Sequence, residues 1–346
     1  MLQDSTRRAQ FAVYGALLLA VLFAPMFGAY PVFVLKVLCF ALFACAFNLL
    51  IGYTGLLSFG HAAFFGGAGY VAGHAMKEWS LTPELGLLLG TVFAALTGLA
   101  MGALAIRRQG IYFSMITLAL AQMLYFFCLQ APFTGGEDGI QGIPRGKLLG
   151  LLPLDSDLTL YYVVLAIVVA AFALVVRTIH SPFGQILKAI KENEPRAVSL
   201  GYDVDRFKLV AFVLSAALSG LAGSLKALVL GFETLTDVHW SMSGAVILMT
   251  LVGGLGTLTG PIAGAFVVIA LENKLGDVGT FLANLTGIDW FNTLGESVTM
   301  VTGVIFVICV LTFRRGIVGE ILGVADQWRA RRKPAAPLGS HLVDRG

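Results

Sequence analysis

Long apolar runs follow one another along almost the whole chain, with short polar connections between them. A helix that spans a membrane needs about 20 consecutive, mostly apolar residues. Runs of this kind lie near 11–28, 32–50, 56–76, 85–106, 111–131, 158–176, 207–230 and 295–313. The pattern predicts an all-α polytopic membrane protein whose first spanning helix is the run at 11–28.

Two further apolar runs, near 241–252 and 258–271, are shorter and are separated by Gly253, Gly254 and Gly256. Short segments interrupted by Gly or Pro are typical of the discontinuous helices of transporters. They are either two short spans or one re-entrant pair, and both alternatives return the chain to the same side. The prediction is therefore a bundle of about ten transmembrane helices, two of them short or re-entrant.

The positions of Lys and Arg predict the orientation, because cytoplasmic loops carry an excess of them. With the N-terminus inside, 17 of the 23 Lys and Arg residues fall in inner segments and 4 in outer ones. Both termini are therefore predicted to be cytoplasmic. The expected divisions are a cytoplasmic N-terminus at 1–10, a transmembrane domain at 11–313 and a cytoplasmic tail at 314–346. Residues 132–157 form the largest predicted outer loop.

Composition supports this class and excludes others. Hydrophobic residues make up 58% of the chain and charged residues 12%, whereas soluble domains carry about 25% charged residues. A soluble protein of this size has no room to bury so much apolar surface, and disorder requires few apolar residues. The net charge of +3 gives no support for nucleic-acid binding.

Residues for chemistry are scarce. The nearest approach to a phosphate-binding loop, Gly142 to Leu148, is one residue too short between its glycines and lacks the Ser or Thr that holds magnesium. We therefore expect no enzyme activity, no cofactor and no metal site. The cysteines lie in apolar runs and the histidines show no metal-binding spacing: Cys39, Cys45, Cys128 and Cys309; His61, His74, His180, His239 and His341.

Four ionisable side chains fall within or beside predicted spans, near their outer ends: Lys36, Lys226, Glu272 and Glu296. Long side chains at such positions extend to the membrane surface and keep their charges in water. We expect this placement for all four.

Two glycine-rich stretches, 48–61 and 252–261, place polar backbone at membrane depth. Such backbone is tolerated only where it lines a cavity or is buried in protein. The first stretch carries the candidate residues of a translocation path: Asn48, Thr54, Ser58 and His61. Hydrogen bonding between helices is the alternative interpretation.

The inner segment 181–201 predicts two short helices. Ser181 is a good N-cap, and Pro182 fits the first helical position. Asn193 or Glu194 caps the second helix, and Gly201 can end it in the left-handed conformation. One apolar face is formed by Ile186, Leu187 and Ile190. The segment is larger than a connection between two spans requires, so it either lies on lipid or docks onto a cytoplasmic partner.

Five separated stretches follow one another in a recognisable order: Gly52–Tyr70, Phe133–Gly146, Ser181–Gly201, Leu251–Ala265 and Arg314–Gly319. They resemble motifs of permease subunits of ABC importers for branched-chain amino acids, specifically the larger of the two paired permeases. The resemblance runs from about Val37 to Gly319. It implies the larger-bundle class of importer permease, in the bacterial cytoplasmic (inner) membrane. The implied partners are a homologous second permease, two cytoplasmic ATPase subunits that bind ATP, and a periplasmic solute-binding protein.

The resemblance also implies roles for particular residues. Segment 181–201 would couple to the ATPase through Ser181, Pro182, Phe183, Gly184, Ile186, Leu187, Ile190, Glu194, Ala197 and Gly201. One departure concerns the general importer motif, Glu-Ala-Ala, three residues, then Gly: only Ala197 and Gly201 match, and Glu194 is displaced by one. In the outer loop, Glu137 and Asp138 would receive the binding protein, and a solvated turn is the alternative.

The expected function is import of branched-chain, or other hydrophobic or small, amino acids by alternating access. The energy would come from the partner ATPases. A permease of the same superfamily for another small solute, such as a sugar, urea or an amide, is the first alternative. An ion-coupled secondary carrier is the second, and it would transport without ATPase partners. A membrane enzyme would need a cluster of polar catalytic groups, and the sequence contains none that we recognise.

Overall fold

The computed structural model describes residues 19–28, 30–148, 152–286 and 316–320, together with positions 15, 150, 303, 304, 307 and 311. The predicted N-terminus at 1–10, much of the first span and the tail beyond 320 lie outside these residues. The span predicted at 295–313 also lies almost entirely outside them.

The described residues are mainly helical. The α-helices are α1 (Pro31–Thr54), α2 (His61–Lys77), α3 (Pro83–Ala105), α4 (Ile111–Gln130), α5 (Asp157–His180), α6 (Pro182–Glu192), α7 (Glu194–Ser199), α8 (Val204–Leu230), α9 (Leu235–Val238), α10 (Trp240–Gly253) and α11 (Gly260–Thr286). Short 3-10 helices lie at Ala24–Phe27, Pro132–Thr134 and Gly136–Asp138. Two-residue strands are β1 (Ile140–Gln141), β2 (Lys147–Leu148), β3 (Leu152–Pro153) and β4 (Phe232–Glu233).

Five of the described helices are long and apolar enough to cross a membrane: α1, α3, α4, α5 and α8. This confirms the prediction of an all-α polytopic membrane protein. Helix α1 is apolar on every side and is buried along most of its length, from Leu35 to Leu50. A helix that is hydrophobic all round belongs inside a bundle, so α1 forms the centre against which α5, α8, α10 and α11 pack.

Small residues bring the central helices together. A Cβ on Gly223 of α8 would overlap the carbonyl oxygen of Phe65 in α2. On α11, a Cβ at Gly264 would overlap the carbonyl oxygen of Met249 in α10. Association of helices in a membrane depends on such close backbone approach, so these glycines fix the distances between the helix axes.

The region after α8 differs in length from the prediction. Helix α10 is short, with 14 residues, as expected. Helix α11 has 27 residues and extends to Thr286, so the short span predicted at 258–271 is wrong. Polar residues such as Glu272 and Lys274 end the apolar run but do not end the helix, because helix formation does not require hydrophobicity. At about 1.5 Å per residue, α11 is about 40 Å long.

In the first glycine-rich stretch, the structure differs from the sequence-based prediction in where the span predicted at 56–76 begins. Helix α1 continues to Thr54, and Gly55 follows with a φ of 78°. Residues 55–60 are not helical, and α2 begins only at His61. The span predicted at 56–76 therefore begins five residues too early.

Connections gather at two ends of the bundle. At one end, Gln109 between α3 and α4 donates to Glu194 at 3.0 Å, so this connection and the 181–201 segment meet. At the other end, β1 pairs with β4 in antiparallel register, Ile140 opposite Glu233. Segments predicted to lie inside thus share one end, here called the coupling end. Segments predicted to lie outside share the opposite end, here called the outer-loop end.

Candidate functional site

The 181–201 segment folds as two capped helices. The Ser181 hydroxyl accepts a hydrogen bond from the Gly184 backbone N–H at 3.3 Å. The Asn193 side chain accepts one from the Arg196 N–H at 3.1 Å. Each cap satisfies an amide at a helix start that has no partner within the helix. Both helices begin as the sequence predicts, and Asn193 rather than Glu194 is the second cap.

Gly201 ends helix α7 with a φ of 87°. The Tyr202 N–H donates to the Ala197 carbonyl at 3.2 Å, and the Gly201 N–H donates to Val198 at 2.9 Å. These two bonds satisfy carbonyls at the helix end in the manner of a Schellman motif. A Cβ at Gly201 would meet no atom within 4 Å, so only the backbone conformation favours glycine there.

The apolar face of the segment is covered by the chain itself. Ile190 and Ala197 are buried against Val204, with Ile186 and Phe207 packed beside them. Leu187 is also fully buried. Leu187 and Ile190 therefore offer no exposed surface to a partner in this conformation, and their coupling role stays a prediction. Ile190 and Ala197 pack the segment against the first turn of α8.

At the coupling end, the segment exposes a different set of apolar side chains to solvent. Val198, Leu200 and Tyr202 are 57%, 68% and 42% exposed. We call these three residues the apolar tip. Contiguous apolar side chains at the surface mark interaction sites. The sequence analysis missed them because they follow no helical period, although their position beside Gly201 was an available signal.

Glu194 braces the segment internally. Its carboxylate accepts from Lys208 Nζ at 2.6 Å and from the Gln109 side chain at 3.0 Å. Lys208 is buried on α8. Glu194 thus ties α7 to α8 and to the connection between α3 and α4.

Lys191 links the segment to the central helix. Its Nζ donates to the Gly52 carbonyl oxygen at 2.7 Å, and Lys188 Nζ lies 5.6 Å from the ring centroid of Tyr53. The last carbonyls of a helix have no partner within it and favour a nearby cation. The C-terminus of α1 is therefore held by α6.

Asn48 holds α1 against the turn between α10 and α11. Its amide donates to the Thr257 carbonyl at 2.8 Å, and its side-chain oxygen accepts from the Gly256 N–H at 2.9 Å. Because Gly256 has a φ of 74°, this turn has a non-helical backbone whose polar groups need partners. Asn48 supplies two of them.

His61 lies at the start of α2 and is fully buried. Its Nε2 is 2.9 Å from the Ser215 hydroxyl, which donates its own hydrogen to the Ala46 carbonyl at 2.6 Å. Since a hydroxyl has one hydrogen, His61 Nε2 must be the donor. The ring thus joins α2, α8 and α1.

The other two candidates for the translocation path are bonded locally. Thr54 donates to the Leu50 carbonyl at 2.5 Å, and Ser58 accepts from the Gly60 N–H at 3.1 Å. All four candidates are buried. In this conformation Asn48 and His61 join helices, which was the alternative interpretation. A role in the path in another conformation stays a prediction.

The outer loop carries Glu137 and Asp138 on the 3-10 helix Gly136–Asp138, and both side chains are exposed. Gly135 and Gly139 flank them with φ values of 78° and 68°. Docking and a solvated turn both require this exposure, so the docking role stays a prediction.

Lys226 was expected to extend to the membrane surface, but the structure buries it. It is 3% exposed, and its Nζ lies 2.5 Å from Asp237 Oδ2 and 3.2 Å from Glu233 Oε2. Lys36, in contrast, is half-buried, and its charge acts on Glu272 of α11. Glu296 lies outside the described residues.

Within the described residues, no group of three or more His, Cys, Asp or Glu side chains is arranged to hold a metal ion. Cys39, Cys45 and Cys128 are buried free thiols. Cys309 lies outside the described part of the chain.

Comparison with known proteins places this sequence in a family. The family described as branched-chain amino acid transport system / permease component matches residues 30–310. The chain belongs to this family. The matched region contains the 181–201 segment, both glycine-rich stretches and the outer loop.

Two relatives named as branched-chain amino acid permeases illustrate the similarity. The high-affinity branched-chain amino acid transport system permease protein LivM of Escherichia coli is 27% identical over 268 residues, covering 69% of this chain and 62% of LivM. The probable branched-chain amino acid transport permease protein LivM of Methanocaldococcus jannaschii is 24% identical over 194 residues, covering 54% of this chain and 55% of the relative.

A third relative has another named cargo. The autoinducer 2 import system permease protein LsrC of Yersinia enterocolitica is 28% identical over 203 residues, covering 57% of this chain and 55% of LsrC. The chain thus spans less than two thirds of the length of each of these relatives. No solved structure matches the chain.

Proposed function

We propose that this family member is the transmembrane permease subunit of an ATP-driven importer for branched-chain or similar small hydrophobic amino acids. The family match over residues 30–310 carries the proposal. The capped 181–201 segment supports it, because its exposed apolar tip is a surface onto which a cytoplasmic ATPase can dock.

In this proposal the chain binds no ATP and is moved by two ATPase subunits. A force on the apolar tip passes into α6 and α7, which are braced by Glu194 and Lys208. It reaches α1 through the bond from Lys191 to Gly52. It continues through Asn48 to the turn at 256–257. These contacts join the coupling end to the helices at the centre of the bundle.

The remaining partners complete the cycle. A solute-binding protein docks at the outer-loop end, where Glu137 and Asp138 are exposed. It releases the solute into a space between this chain and a homologous permease. The path candidates Asn48, Thr54, Ser58 and His61 become accessible when the helices separate. The importer lies in the bacterial inner membrane with both termini in the cytoplasm.

Reconstitution tests the proposal. The chain is co-purified with its ATPase and permease partners, placed in liposomes and supplied with leucine-loaded binding protein. The expected result is leucine uptake that requires ATP and the binding protein. Uptake by the chain alone, driven by a proton or sodium gradient, would instead identify a secondary carrier.

The similarity to LsrC supports a second candidate, a permease for a polar small solute. The same liposomes distinguish the two. Under the first proposal, excess isoleucine and valine compete with labelled leucine for the binding protein, whereas ribose-like sugars do not. Uptake of labelled autoinducer 2 from its own binding protein, without uptake of labelled leucine, favours the second candidate.

A further inference from the structure

A buried cluster at the outer-loop end contains more acid than base. Lys226 on α8 contacts Asp237 on α9 and Glu233 on β4. All three side chains are almost completely shielded from solvent. Among the described residues, Lys226 is the one cation that contacts these two carboxyl groups. If both carboxyl groups were ionised, one negative charge would be buried without a counter-charge.

The two acids differ in their hydrogen-bond partners. Asp237 Oδ2 accepts from Lys226 Nζ at 2.5 Å, from the Thr234 hydroxyl at 2.6 Å and from the Thr234 N–H at 3.2 Å. Among the described residues, the Glu233 carboxyl accepts only from Lys226, at 3.2 Å, through Oε2. Its other oxygen, Oε1, is buried without a partner in the described part of the chain. The donors therefore select Asp237 as the ionised acid.

A second buried polar atom accompanies Glu233. The Tyr70 hydroxyl of α2 is buried and, among the described residues, has no hydrogen-bond partner, and it interacts electrostatically with Glu233. Its neighbour Gly69 leaves the space that the Glu233 carboxyl fills, since a Cβ there would collide with the carboxyl carbon. Neither Tyr70 nor any other described residue donates a hydrogen bond to Glu233 Oε1, although a buried ionised carboxylate would require such donors.

We propose that Glu233 is a proton-binding site, protonated in this conformation, and that Lys226 is charge-paired with Asp237 alone. This arrangement leaves no uncompensated charge in the cluster. It goes beyond the proposed transport function and does not depend on it.

The groups that surround Glu233, and its burial, favour the protonated form of its carboxyl. The titratable groups around the cluster are Cys39 on α1, Tyr70 on α2, Tyr125 and Cys128 on α4, Lys226 on α8 and Asp237 on α9. Burial raises the pKa of the Glu233 carboxyl well above its usual range. The Lys226 ammonium lowers the pKa in part, and the charge on Asp237 raises it further.

The site is connected to the outer loop. The backbone of Glu233 pairs with Ile140 in the ladder between β1 and β4. A Cβ at Gly139 would overlap the Glu233 carbonyl oxygen, so the loop backbone lies directly on this residue. Loss of the proton would place a second negative charge beneath the loop and loosen its anchor.

Infrared difference spectroscopy on the full chain in lipid nanodiscs tests the proposal directly. Three proteins are compared at neutral pH: the parent chain, Glu233→Gln, and the control Glu78→Gln, which alters an exposed glutamate at the same end. We expect the parent spectrum to contain a protonated-carboxyl C=O band that Glu233→Gln loses and Glu78→Gln retains. Identical spectra in the carboxyl region for the parent and Glu233→Gln would overturn the proposal.

Thermal unfolding gives a second, independent test. Gln resembles a protonated Glu, so Glu233→Gln should unfold near the parent temperature. Asp237→Asn leaves Lys226 only the 3.2 Å contact with Glu233, which must then lose its proton to supply the counter-charge, so the unfolding temperature should fall by on the order of 10 °C. A fall in Glu233→Gln as large as that in Asp237→Asn would mean that Glu233 is ionised, and the proposal would fail.

The pH dependence has a definite sign. Because the folded chain binds this proton more tightly than the unfolded chain, stability should decrease as pH rises from the usual Glu pKa of about 4.3 towards the raised value. Glu233→Gln should remove that component of the slope, whereas Glu78→Gln should not. An unchanged slope in Glu233→Gln would contradict the proposal.

Discussion

At the scale of single residues, Gly201 shows how one backbone angle sets the shape of the coupling segment. Its φ of 87° lies in the left-handed region, where a Cβ costs about 1–2 kcal/mol. We predict that Gly201→Val distorts the turn, reduces co-purification of the ATPase and lowers transport while the permease is still inserted. Gly201→Asn is the matched control, because Asn tolerates this conformation. Equal activity in both variants would show that the turn geometry is unimportant.

A second residue-scale prediction separates the apolar tip from the packing beneath it. Leu200 is 68% exposed, whereas Ala197 is 3% exposed. Leu200→Asp should leave expression and unfolding temperature unchanged but weaken retention of the ATPase. Ala197→Asp buries a charge without a counter-ion, at a cost of several kcal/mol, so the yield of folded protein should fall. If Leu200→Asp retains the ATPase fully, the tip is not the docking surface.

At the scale of elements, α6 and α1 are joined by the bond between Lys191 and Gly52. A hydrogen bond from a charged group contributes about 1.5–3 kcal/mol, and less where it is exposed to solvent. We predict that Lys191→Met keeps the ATPase bound but lowers the number of solute molecules moved per ATP hydrolysed. Lys191→Arg should recover part of this ratio, since it retains a donor and a charge.

Lys188→Met is the comparison for that experiment. Lys188 lies over the Tyr53 ring and makes no hydrogen bond to α1 in the described structure. We expect a smaller change in the ratio of transport to hydrolysis than for Lys191→Met. Equal ratios in all three variants would show that force reaches α1 by another contact.

Local signals in the sequence predicted local structure well. The caps at Ser181 and Asn193 and the left-handed Gly201 depend on neighbouring residues, and all three are present. The apolar face of α6 correctly indicated burial, but periodicity does not reveal which surface covers the face. For the same reason the acidic partners of Lys226 were missed: they are 7 and 11 residues further on and meet it only after α8 ends.

Helix length was predicted less well than helix existence. Hydropathy locates the part of a helix that faces apolar surroundings. It gave 258–271 for α11, which extends from Gly260 to Thr286. The roles of Asn48 and His61 were equally hidden, because their bonding partners, Thr257 and Ser215, are far away in the sequence.

At the scale of the whole molecule, the distribution of Lys and Arg and the two ends of the bundle make one prediction about orientation. A reporter fused after Arg315 should be active as a cytoplasmic fusion. An accessible tag inserted near Gly136 should be labelled from the periplasm. The reason is the excess of Lys and Arg in the segments that gather at the coupling end. The reverse result at either position would overturn the assigned orientation.

The central claim is that an ATPase subunit drives this permease through the apolar tip. The most direct test places a photo-cross-linking amino acid at Leu200 in the assembled importer, with Leu96 as the control. Leu96 is also exposed, on α3, in an apolar helix long enough to span the membrane. The account predicts a covalent adduct with the ATPase from position 200 and none from position 96. ATP-driven uptake without any adduct from position 200 would contradict it.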